Sequence, residues 1–600
     1  MIILGISDSH EAHACLIING KLKAAVAEER FSRLKSDMGY PTKAIEAVLE
    51  TSKIKPRDID FVAFAGQKGS ILHRLVKPNA LMKVKDWIKQ CHEYWGPVLL
   101  ENKPLTPMFD FEMFKELRGA EIYQDPYYLY VKNTEGVTLS NKSDLLKSAR
   151  LYAIKEHLGV DKSKVKFYRH EDCHKAYGIF SSPKKLDSSV ILTLEGGGDD
   201  SSATFSTFKN FEFKEHWKSN EVNIGRLYRY VTLILGMLPA QHEYKVMGLA
   251  PYGTEYHGKI SKDFFMTLTK VNNTEIINTN RVKDLYFSIK DALEGQRFDG
   301  IAWGLQEYTE EILTQWAENC IKATDLKNLV ISGGVGQNIK ASKTLIDKTS
   351  LNYLWSGPIC GDGSLGIGAA WLALSELTSE KNIHGIETIY LGKEYSSEYI
   401  RNTLHQNKIN QKFILVDSPD TNKIAEWINS GKICARFSGK MEFGQRALGN
   451  RSILADPRKI ESVERVNNKI KYRDFWMPFT PSMTYEESKK MIYNPKNIYS
   501  PYMTIAYDLN KEYQNSIPAA VHPSDKTVRP QMLKQEDNPN YYKLLEEFGK
   551  VSGIQCLMNT SFNLHGEAIV ENPQQAIDTF ERSELDILLF DDVAITRKKS

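Results

Sequence analysis

The chain has 600 residues, more than one hydrophobic core usually holds, so at least two domains are expected. Its 78 lysines and arginines nearly balance its 75 acidic residues, which argues against nucleic acid as the main partner. No apolar run approaches the roughly 20 residues of a membrane helix, and the first residues lack a signal-peptide pattern. The 7 cysteines include no CxxC pair, which argues against a disulfide or zinc framework. We therefore expect a cytoplasmic enzyme.

The first elements predict one unit of strands and helices. The pair Asn19-Gly20 is typical of the two-residue turn of a β-hairpin, since both residues tolerate positive φ. In chain order, we predict a strand over 2–6, a polar turn over 7–10, hairpin strands over 14–18 and 21–27, a helix over 41–49 and a strand over 59–64.

Two further apolar runs, 190–194 and 329–331, each end in a glycine-rich turn. Strands that end in such turns indicate an α/β domain with its ligand-binding groups at the strand ends. Residues 72–150 show little periodicity and are interpreted as an insertion. A later polar stretch indicates a domain boundary that divides the chain into 1–380 and 381–600.

Two histidines indicate a metal site. His170 and His174 are four residues apart, so on a helix their imidazoles share one face, as two ligands of one metal ion do. Glu195 at a strand end and Asp362 before a helix add two carboxylates. This set suits a divalent iron, manganese or zinc ion. The alternative is that the histidines are a pair of surface residues.

The glycine-rich turns contain Gly196, Gly197, Gly333 and Gly334. Glycine lets backbone N–H groups approach a phosphate closely, and several such turns in one domain favour nucleotide binding. A single turn of this kind is more often only a tight turn.

Residues 434–452 contain four cations, which are interleaved with glycines and apolar residues and accompanied by a single acid. This pattern indicates a partly buried anion pocket rather than a solvated charged face. Downstream, Lys471 and Arg473 can add cations. Asn559 and Ser561 can add neutral donors, although these two also fit a plain polar loop. The four cations are Arg436, Lys440, Arg446 and Arg451.

Several segments are similar to motifs of the O-carbamoyltransferase family, which includes the nodulation-factor, cephem and aminoglycoside carbamoyltransferases. The longest segment, 441–458, is too specific for a chance match. The others are Leu4-Gly5-Ile6 with His10, and residues 27–33, 245–253 and 559–563. The likeness spans most of the chain.

The resemblance implies an α/β, actin-like first domain of the tRNA-threonylcarbamoyl-transferase type, and an α+β, YrdC-like second domain. In that family the second domain activates carbamoyl phosphate with ATP and forms carbamoyl-adenylate. The first domain then transfers the carbamoyl group to a hydroxyl of a small secondary metabolite, near a bound iron ion. We accordingly expect ATP with Mg²⁺, a divalent metal such as Fe²⁺, carbamoyl phosphate and a hydroxyl acceptor. We expect no nucleic-acid partner and no membrane partner, and whether the protein forms a homodimer stays open.

The resemblance also assigns roles to residues. Asn338 matches a nucleotide-binding position, although it also fits a helix cap after a glycine turn. Asp8, His10 and Lys35 match acceptor-side groups, and His10 is the expected base because a neutral imidazole takes up a proton near pH 7. The alternatives are a histidine that only orients its loop and two solvated loop charges. The positions at which the family binds carbamoyl phosphate and ATP are matched by Arg436, Lys440, Arg446, Arg451, Arg473, Asn559 and Ser561.

The match is incomplete at two positions of the implied sites. His170, His174 and Asp362 match metal ligands, but Glu195 stands where the family usually has Asp, so its role as a fourth ligand stays open. Met477 stands where the family often has a second Arg, so one phosphate contact is expected to be missing or supplied from elsewhere.

Three other functions compete with carbamoyl transfer to a small molecule. Threonylcarbamoyl transfer to tRNA uses the same two folds, but the near-neutral charge argues against a tRNA surface. A hydrogenase-maturation carbamoyltransferase would bring zinc-finger cysteines that this chain lacks. An actin-like ATPase would share the glycine turns but would have no use for the cations of 434–452. The identity of the acceptor does not follow from the sequence.

Overall fold

A computed structural model describes residues 1–108, 110–117, 120–140, 142–378, 383 and 385–598. The chain forms two compact units, Met1–Glu387 (unit 1) and Thr388–Ser600 (unit 2). The predicted boundary at residue 380 lies outside the described residues. None of the helices described is both long enough and apolar enough to cross a membrane.

Unit 1 is built on strands in two sheets. Its strands are β1 (Ile2–Ser7), β2 (His13–Ile18), β3 (Lys21–Ala27), β4 (Phe61–Ala65), β5 (Val165–Tyr168), β6 (Ser188–Leu194), β7 (Ala203–Lys209), β8 (Glu212–Ser219), β9 (Thr269–Asn272), β10 (Glu275–Asn278), β11 (Asn328–Ser332) and β12 (Tyr353–Trp355). The two large sheets have the orders β3-β2-β1-β4-β5 and β12-β11-β6-β7-β8, and β9 pairs with β10.

The two large sheets share one topology. In each, three strands form an antiparallel meander, and two further strands run parallel to the first strand of that meander. Unit 1 therefore contains the same strand arrangement twice, although no repeat is visible in the sequence. The carboxyl ends of β1, β6 and β11 carry the polar loops that the sequence analysis singled out.

The predicted strands of unit 1 are confirmed, with ends that agree to within two residues, and the helix predicted over 41–49 is observed at Thr42–Ser52. The hairpin turn is of type I′, since Asn19 has φ 49° and Gly20 has φ 80°. Ile18 pairs with Lys21 directly across this turn.

Helices connect the strands of unit 1 and account for the segment interpreted as an insertion. Between β4 and β5, the described part of 72–150 contains short helices and no strand. The helices are α1 (Glu29–Ser32), α2 (Thr42–Ser52), α3 (Ile71–Val76), α4 (Pro78–Leu81), α5 (Val84–Lys89), α6 (Gly96–Glu101), α7 (Glu112–Leu117), α8 (Pro126–Asn133), α9 (Ser143–Leu158), α10 (His170–Phe180), α11 (Ile224–Ile234), α12 (Glu243–Leu249), α13 (Glu255–Leu268), α14 (Leu285–Leu293), α15 (Phe298–Thr324), α16 (Ile339–Lys348) and α17 (Leu365–Leu377).

The small residues of α17 let it pack closely against its neighbours. A Cβ on Gly368 would lie 2.0 Å from the carbonyl oxygen of Cys173 in α10. A Cβ on Gly5 of β1 would likewise lie 2.2 Å from the carbonyl oxygen of Gly366. Because these backbones touch, the start of α17 lies beside the start of α10, and Asp362 is brought towards His170.

Unit 2 is a mixed eight-stranded sheet with helices, in the order β13-β22-β21-β14-β15-β20-β16-β19. Its helices are α18 (Ser397–Gln406), α19 (Ile409–Lys412), α20 (Thr421–Asn429), α21 (Glu461–Val466), α22 (Tyr485–Met491), α23 (Pro539–Ser552) and α24 (Pro573–Glu581). Its strands are β13 (Ile414–Asp417), β14 (Cys434–Phe437), β15 (Arg451–Ala455), β16 (Thr480–Thr484), β17 (Ile492–Tyr493), β18 (Asp508–Leu509), β19 (Gln531–Leu533), β20 (Cys556–Ser561), β21 (Ile587–Leu589) and β22 (Val593–Thr596).

The sheet of unit 2 is buried on both faces. Ala435 and Ile453 belong to one apolar cluster, whereas their neighbours Cys434 and Leu454 belong to another. Successive side chains of a strand point to opposite faces, so the two clusters cover the two sides of the sheet. The mixed α/β class expected for the chain is thus confirmed.

Candidate functional site

Four side chains of unit 1 meet at the carboxyl end of β6. His170 and His174 lie in the first turns of α10, Glu195 follows β6, and Asp362 begins the 3₁₀ turn before α17. One ligand atom from each residue lies within 4.8 Å of the other three. We call these four residues the His–carboxylate cluster. The structure thus brings together the four residues that the sequence proposed as one metal site.

Glu195 is the centre of the cluster. Its Oε2 lies 2.5 Å from His170 Nε2 and 3.3 Å from His174 Nε2, and Asp362 Oδ1 lies 3.6 Å from both of these nitrogens. Burial by itself would lower the pKa of His170, but the charges of Glu195 and Asp362 outweigh it and raise that pKa to about 10. The two histidines are buried. They are therefore not a surface pair.

Two buried atoms of the cluster have no hydrogen-bond partner among the described residues. They are Oε1 of Glu195 and Nε2 of His174. Buried polar atoms are nearly always satisfied, so such atoms in one cluster indicate a missing partner. Two imidazoles and two carboxylates are a donor set that divalent iron, manganese or zinc accepts. The residues present therefore fit a divalent metal ion.

Asp199 fixes the start of α10. Its Oδ2 accepts hydrogen bonds from the backbone N–H groups of His170 at 2.8 Å and Gln67 at 2.7 Å. Its Oδ1 accepts one from the backbone of Lys68 at 2.7 Å. An acid at the first turn of a helix satisfies otherwise free N–H groups and complements the helix dipole. The sequence analysis overlooked Asp199, although it directly follows the glycine turn.

The glycine turn after Glu195 is shaped by a second buried acid. Glu171 Oε1 accepts hydrogen bonds from the backbone of Asp200 at 2.6 Å and of Ser201 at 2.7 Å. A Cβ on Gly198 would lie 2.8 Å from Glu171 Oε1 and 3.0 Å from Glu195 Oε1. Glycine is therefore needed at this position because two carboxylates occupy the space beside it.

The second glycine turn, at Gly333 and Gly334, is shaped by the close approach of another strand's backbone. Gly333 has φ 91°, and a Cβ there would lie 2.3 Å from the carbonyl oxygen of Leu194. A Cβ on Gly334 would meet no atom within 4 Å, so its backbone faces open space. Asn338 caps α16, since its Oδ1 accepts from the backbone of Ala341 at 3.0 Å. The helix-cap alternative for Asn338 is thus observed.

The Asn338 amide also belongs to a buried network. Its Nδ2 donates to the hydroxyl of Tyr228 and to Oε1 of Gln306, both at 3.0 Å. Gln306 Nε2 donates back to Asn338 Oδ1 at 3.0 Å. These bonds hold the loop after β11 against α11 and α15, which positions the backbone of Gly333 and Gly334.

Asp8 is buried and fully engaged by cations from distant parts of unit 1. Arg150 donates to its two oxygens at 2.6 and 2.8 Å, Arg74 donates at 3.1 Å, and the hydroxyl of Tyr127 donates at 2.7 Å. Burial would raise the pKa of Asp8, but the charges of Arg150 and Arg74 outweigh it and lower that pKa. Asp8 is therefore not a solvated loop charge, and this geometry anchors the loop after β1.

His10 and Lys35 lie apart from this ion pair. The Nδ1 atom of His10 lies 3.1 Å from the side-chain amide nitrogen of Asn79, which orients the ring. The ammonium group of Lys35 lies 6.0 Å from the ring centroid of Tyr244. His10 is half-buried, and its neighbour Ser9 donates to Asp362 Oδ2 at 3.0 Å. The β1 loop therefore borders the His–carboxylate cluster.

In unit 2, Arg436 and Arg451 are buried on the adjacent strands β14 and β15. Arg451 pairs with Phe437 and Arg436 pairs with Ser452, so the two side chains lie on opposite faces of the sheet. Arg436 Nη1 donates to the carbonyl oxygen of Gly449 at 2.7 Å and to Oδ1 of Asn450 at 2.8 Å. Arg451 Nη1 donates to the carbonyl oxygens of Ser438 and Asn450, both at 2.9 Å. Neither guanidinium lies within 4.0 Å of a carboxylate oxygen among the described residues, so both carry charge without a direct counter-ion.

Burial dominates the environment of Arg451. Its side chain is 0% exposed, its Nε atom has no partner among the described residues, and desolvation lowers its pKa to about 10. Glu442, the single acid of the loop, accepts from the backbone of Leu448 at 2.7 Å and of Arg451 at 3.1 Å. The acid therefore folds the loop instead of pairing with the guanidinium.

The remaining predicted residues of unit 2 differ in their surroundings. Lys440 is exposed and Arg446 is half-buried. Arg473 lies over the ring of Phe479, with 4.8 Å between the guanidinium carbon and the ring centroid. Asn559 donates to the carbonyl oxygen of Ala447 at 3.0 Å, and its Oδ1 has no partner among the described residues.

Ser561 is a partner of Lys471, a contact that the sequence did not predict. Lys471 is buried, and its Nζ donates to the Ser561 carbonyl oxygen at 2.5 Å and hydroxyl at 3.2 Å. It also donates to Asn563 Oδ1 at 2.5 Å and carbonyl oxygen at 2.9 Å. The only signal in the sequence was its place in the basic segment before Arg473. Met477 is buried, so it adds no polar group to this region.

Comparison with known proteins finds two family models, one in each unit of the chain. Residues 2–371 match the family model described as carbamoyltransferase N-terminus, and residues 425–597 match the one described as carbamoyltransferase C-terminus.

Similar proteins include an uncharacterized protein of Methanocaldococcus jannaschii, 28% identical over 96% of this chain and 95% of its own length. Nodulation protein NolNO of Sinorhizobium fredii is 28% identical over 98% of this chain and 79% of its own length. Nodulation protein U of the same organism is 26% identical over 51% of this chain and 53% of its own length. Since the two family models together match most of the residues, the chain is an enzyme of the carbamoyltransferase family.

Proposed function

We propose that the chain is an ATP-dependent O-carbamoyltransferase that acts on a hydroxyl group of a small molecule. Unit 2 would form carbamoyl-adenylate from carbamoyl phosphate and ATP, and unit 1 would transfer the carbamoyl group. The observation that carries this proposal is the pair of buried arginines, Arg436 and Arg451, which donate to carbonyl oxygens and contact no carboxylate among the described residues. Buried cations without counter-ions suit anionic substrates, and both carbamoyl phosphate and ATP are anions.

The proposed chemistry has three balanced steps. Water cleaves carbamoyl phosphate to carbamate and inorganic phosphate. A carbamate oxygen then attacks the α-phosphorus of ATP, so that carbamoyl-adenylate forms and pyrophosphate leaves. Finally, the acceptor hydroxyl attacks the carbamoyl carbon, loses its proton and expels AMP. Cations that contact the phosphate oxygens stabilise the charge that develops in the second step.

A divalent metal, Fe²⁺ by family resemblance, fits the His–carboxylate cluster. His170, His174 and Asp362 would hold it, together with Glu195, whose free Oε1 is buried. A bound divalent ion acts as a Lewis acid that polarises a carbonyl or phosphoryl oxygen. Asp199 and Glu171 would keep the cluster in place through their backbone hydrogen bonds. Mg²⁺ would accompany ATP.

His10 is the proposed base for the acceptor hydroxyl. Its Nε2 has no hydrogen-bond partner among the described residues, and Nδ1 contacts the Asn79 amide. For Nε2 to accept a proton, Nδ1 must carry a hydrogen, so the amide of Asn79 would present its oxygen to the ring. Asp8 would act as a positioning residue, because its oxygens are occupied by Arg150, Arg74 and Tyr127.

The duplicated sheet topology of unit 1 supports an actin-like domain, in which ligands bind between two similar halves. The Gly333 and Gly334 backbone and the Asn338 network would then contact the nucleotide part of the intermediate. For unit 2, the YrdC-like assignment follows the family resemblance, and the buried Arg436 and Arg451 suit its anionic substrates.

The test is mass spectrometry of a mixture of hydroxyl compounds incubated with the protein, ATP and carbamoyl phosphate. We expect at least one compound to gain the mass of one carbamoyl group. The variant His10→Ala should slow this gain by about 100-fold or more, a typical contribution of a general base, while pyrophosphate release stays near the wild-type rate. If His10→Ala lost carbamoylated product and pyrophosphate release equally, His10 would not act on the acceptor side. If the wild type released pyrophosphate but formed no carbamoylated product, the acceptor would belong to another chemical class.

A further inference from the structure

Two arginines of α11 lie over the glycine turn that follows Glu195. Arg226 Nε donates to the carbonyl oxygen of Gly196 at 2.9 Å, and a Cβ on Gly197 would lie 3.6 Å from Arg226 Nη2. A Cβ on Gly196 would lie 3.6 Å from Arg229 Nη2. Both guanidinium groups therefore border the backbone that carries the His–carboxylate cluster.

The close approach of α11 depends on Gly225. A Cβ at this position would lie 2.8 Å from the carbonyl carbon of Glu195 and 2.8 Å from the backbone nitrogen of Gly196. Only glycine lets the first turn of the helix lie so near this segment. Arg226 and Arg229 are three residues apart, and side chains at this spacing are neighbours on the helix surface. The two charges are thus directed to the same turn by the fold.

Neither arginine has an internal counter-ion. Within the described ranges, no carboxylate oxygen lies within 4.0 Å of the guanidinium of Arg226 or Arg229. The nearby acids are engaged elsewhere, since Glu195 contacts His170, and Asp199 accepts three backbone N–H groups. Two adjacent cations repel each other, so an anion between them would remove an unfavourable interaction.

A third arginine places this pair on the acceptor side of unit 1. Burial, together with the charges of Arg74 and Arg229, lowers the pKa of His73 to about 4, so both arginines lie near this ring. Arg74 also donates to Asp8 at 3.1 Å, in the loop that carries His10. The helix α3 therefore links Arg229 to the loop in which the proposed base lies.

We propose that Arg226 and Arg229 bind a phosphate group of the acceptor, so that the compound carbamoylated by this enzyme is a phosphorylated hydroxyl compound. This inference rests on the proposed function and adds the chemical class of the acceptor to it. Guanidinium groups present forked donors that match the oxygens of a phosphate, and two of them within one turn of helix can contact one phosphate together.

The test compares the full-length wild-type protein with the double variant Arg226→Gln/Arg229→Gln. The probes are hexose monophosphates and the corresponding free hexoses, and the affinity of each is measured by isothermal titration. We expect at least one phosphate to bind the wild type about 10-fold or more tightly than the double variant, and the free hexoses to show no such difference. Arg281→Gln, which removes an exposed arginine that pairs with Glu221, is the matched control and should behave as wild type.

Two results would overturn the proposal. In one, the wild type binds no hexose phosphate more tightly than its parent hexose, or the double variant keeps the preference of the wild type. The other is a double variant that loses affinity for AMP by the same factor as for the hexose phosphates, which would assign the arginines to the adenylate. Pyrophosphate release that depends on carbamoyl phosphate is measured in parallel, because its loss in the wild type would instead refute the proposed function.

Discussion

The guanidinium carbon of Arg451 lies 3.6 Å from the ring centroid of Phe437, its partner across the β14–β15 ladder. Stacking on an aromatic ring holds the planar group in one orientation and compensates part of its lost hydration. Because Phe437 covers one face and carbonyl oxygens accept from Nη1, the remaining donors are presented in a fixed direction. Under the proposed function, Arg451 would thus be held in place for an anionic substrate.

Replacing Arg451 should stop formation of the adenylate. Arg451→Ala removes at least one charge-assisted hydrogen bond to phosphate, so pyrophosphate release that depends on carbamoyl phosphate should fall by about 100-fold or more. Arg451→Lys keeps a charge without the forked donors and should also be impaired. Arg465→Ala, at a partly exposed arginine of unit 2, is the control. Wild-type release rates in a folded Arg451→Ala protein would contradict the proposed role.

Removing one histidine should abolish metal binding at the proposed site. His170→Ala deletes a buried nitrogen ligand and leaves Glu195 without its 2.5 Å partner. We expect bound divalent metal, measured by elemental analysis of the purified protein, to fall about 10-fold or more, because each protein ligand contributes strongly to affinity. His405→Ala changes an exposed histidine of α18 and should retain full metal content. Stoichiometric metal in His170→Ala would show that the cluster does not hold the ion.

The variant Asp8→Asn should destabilise unit 1. It leaves the buried Arg150 and the neighbouring Arg74 without the carboxylate that both contact. Breaking a buried ion pair by removing one partner typically costs about 3 to 5 kcal/mol of unfolding free energy. Chemical denaturation followed by tryptophan fluorescence measures this cost, with Asp58→Asn at an exposed pair as the control. A loss below about 1 kcal/mol would mean that the ion pair does not hold the β1 loop.

Unfolding of unit 1 should depend on pH through Glu28. Burial raises the pKa of Glu28 to about 7, from an ordinary value of 4.5, although its oxygens accept from the backbone of Ala44 and Lys43. A group whose pKa is higher in the folded state contributes stability that is present below its unfolded pKa and is lost as pH rises through the folded pKa.

Between about pH 5 and about pH 8, the unfolding free energy of the wild type should therefore fall by about 1 to 3 kcal/mol more than that of Glu28→Gln. Thermal or chemical denaturation at both pH values gives this difference. Glu212→Gln, at an exposed carboxylate of β8, should follow the wild type. Parallel pH profiles for the wild type and Glu28→Gln would show that Glu28 does not titrate in this range.

Local patterns were enough to predict the elements that carry the site. Asn19-Gly20 predicted a type I′ hairpin because only a few residues accept positive φ at both positions. The four-residue spacing of His170 and His174 predicted one helix face, which α10 confirms. The meeting of that pair with Glu195 and Asp362 was predicted from the strand end at Glu195, from the position of Asp362 before a helix and from the family resemblance. The close packing of Gly368 on Cys173 explains it.

Long-range partners could not be predicted from local patterns. Asp8 finds Arg74, Tyr127 and Arg150 in a segment whose short helices leave little periodicity in the sequence. The burial of Lys471 against Ser561 was equally hidden, since a lysine in a basic segment is usually exposed. In each case the partner depends on how distant elements pack, which residue spacing does not encode.

Under the proposed function, ATP is consumed to activate carbamoyl phosphate. The most direct measurement is the formation of pyrophosphate and AMP from ATP by the full-length, metal-loaded protein, with and without carbamoyl phosphate. We expect both products to form only when carbamoyl phosphate is present. Equal nucleotide turnover without carbamoyl phosphate, as an actin-like ATPase would show, would contradict it.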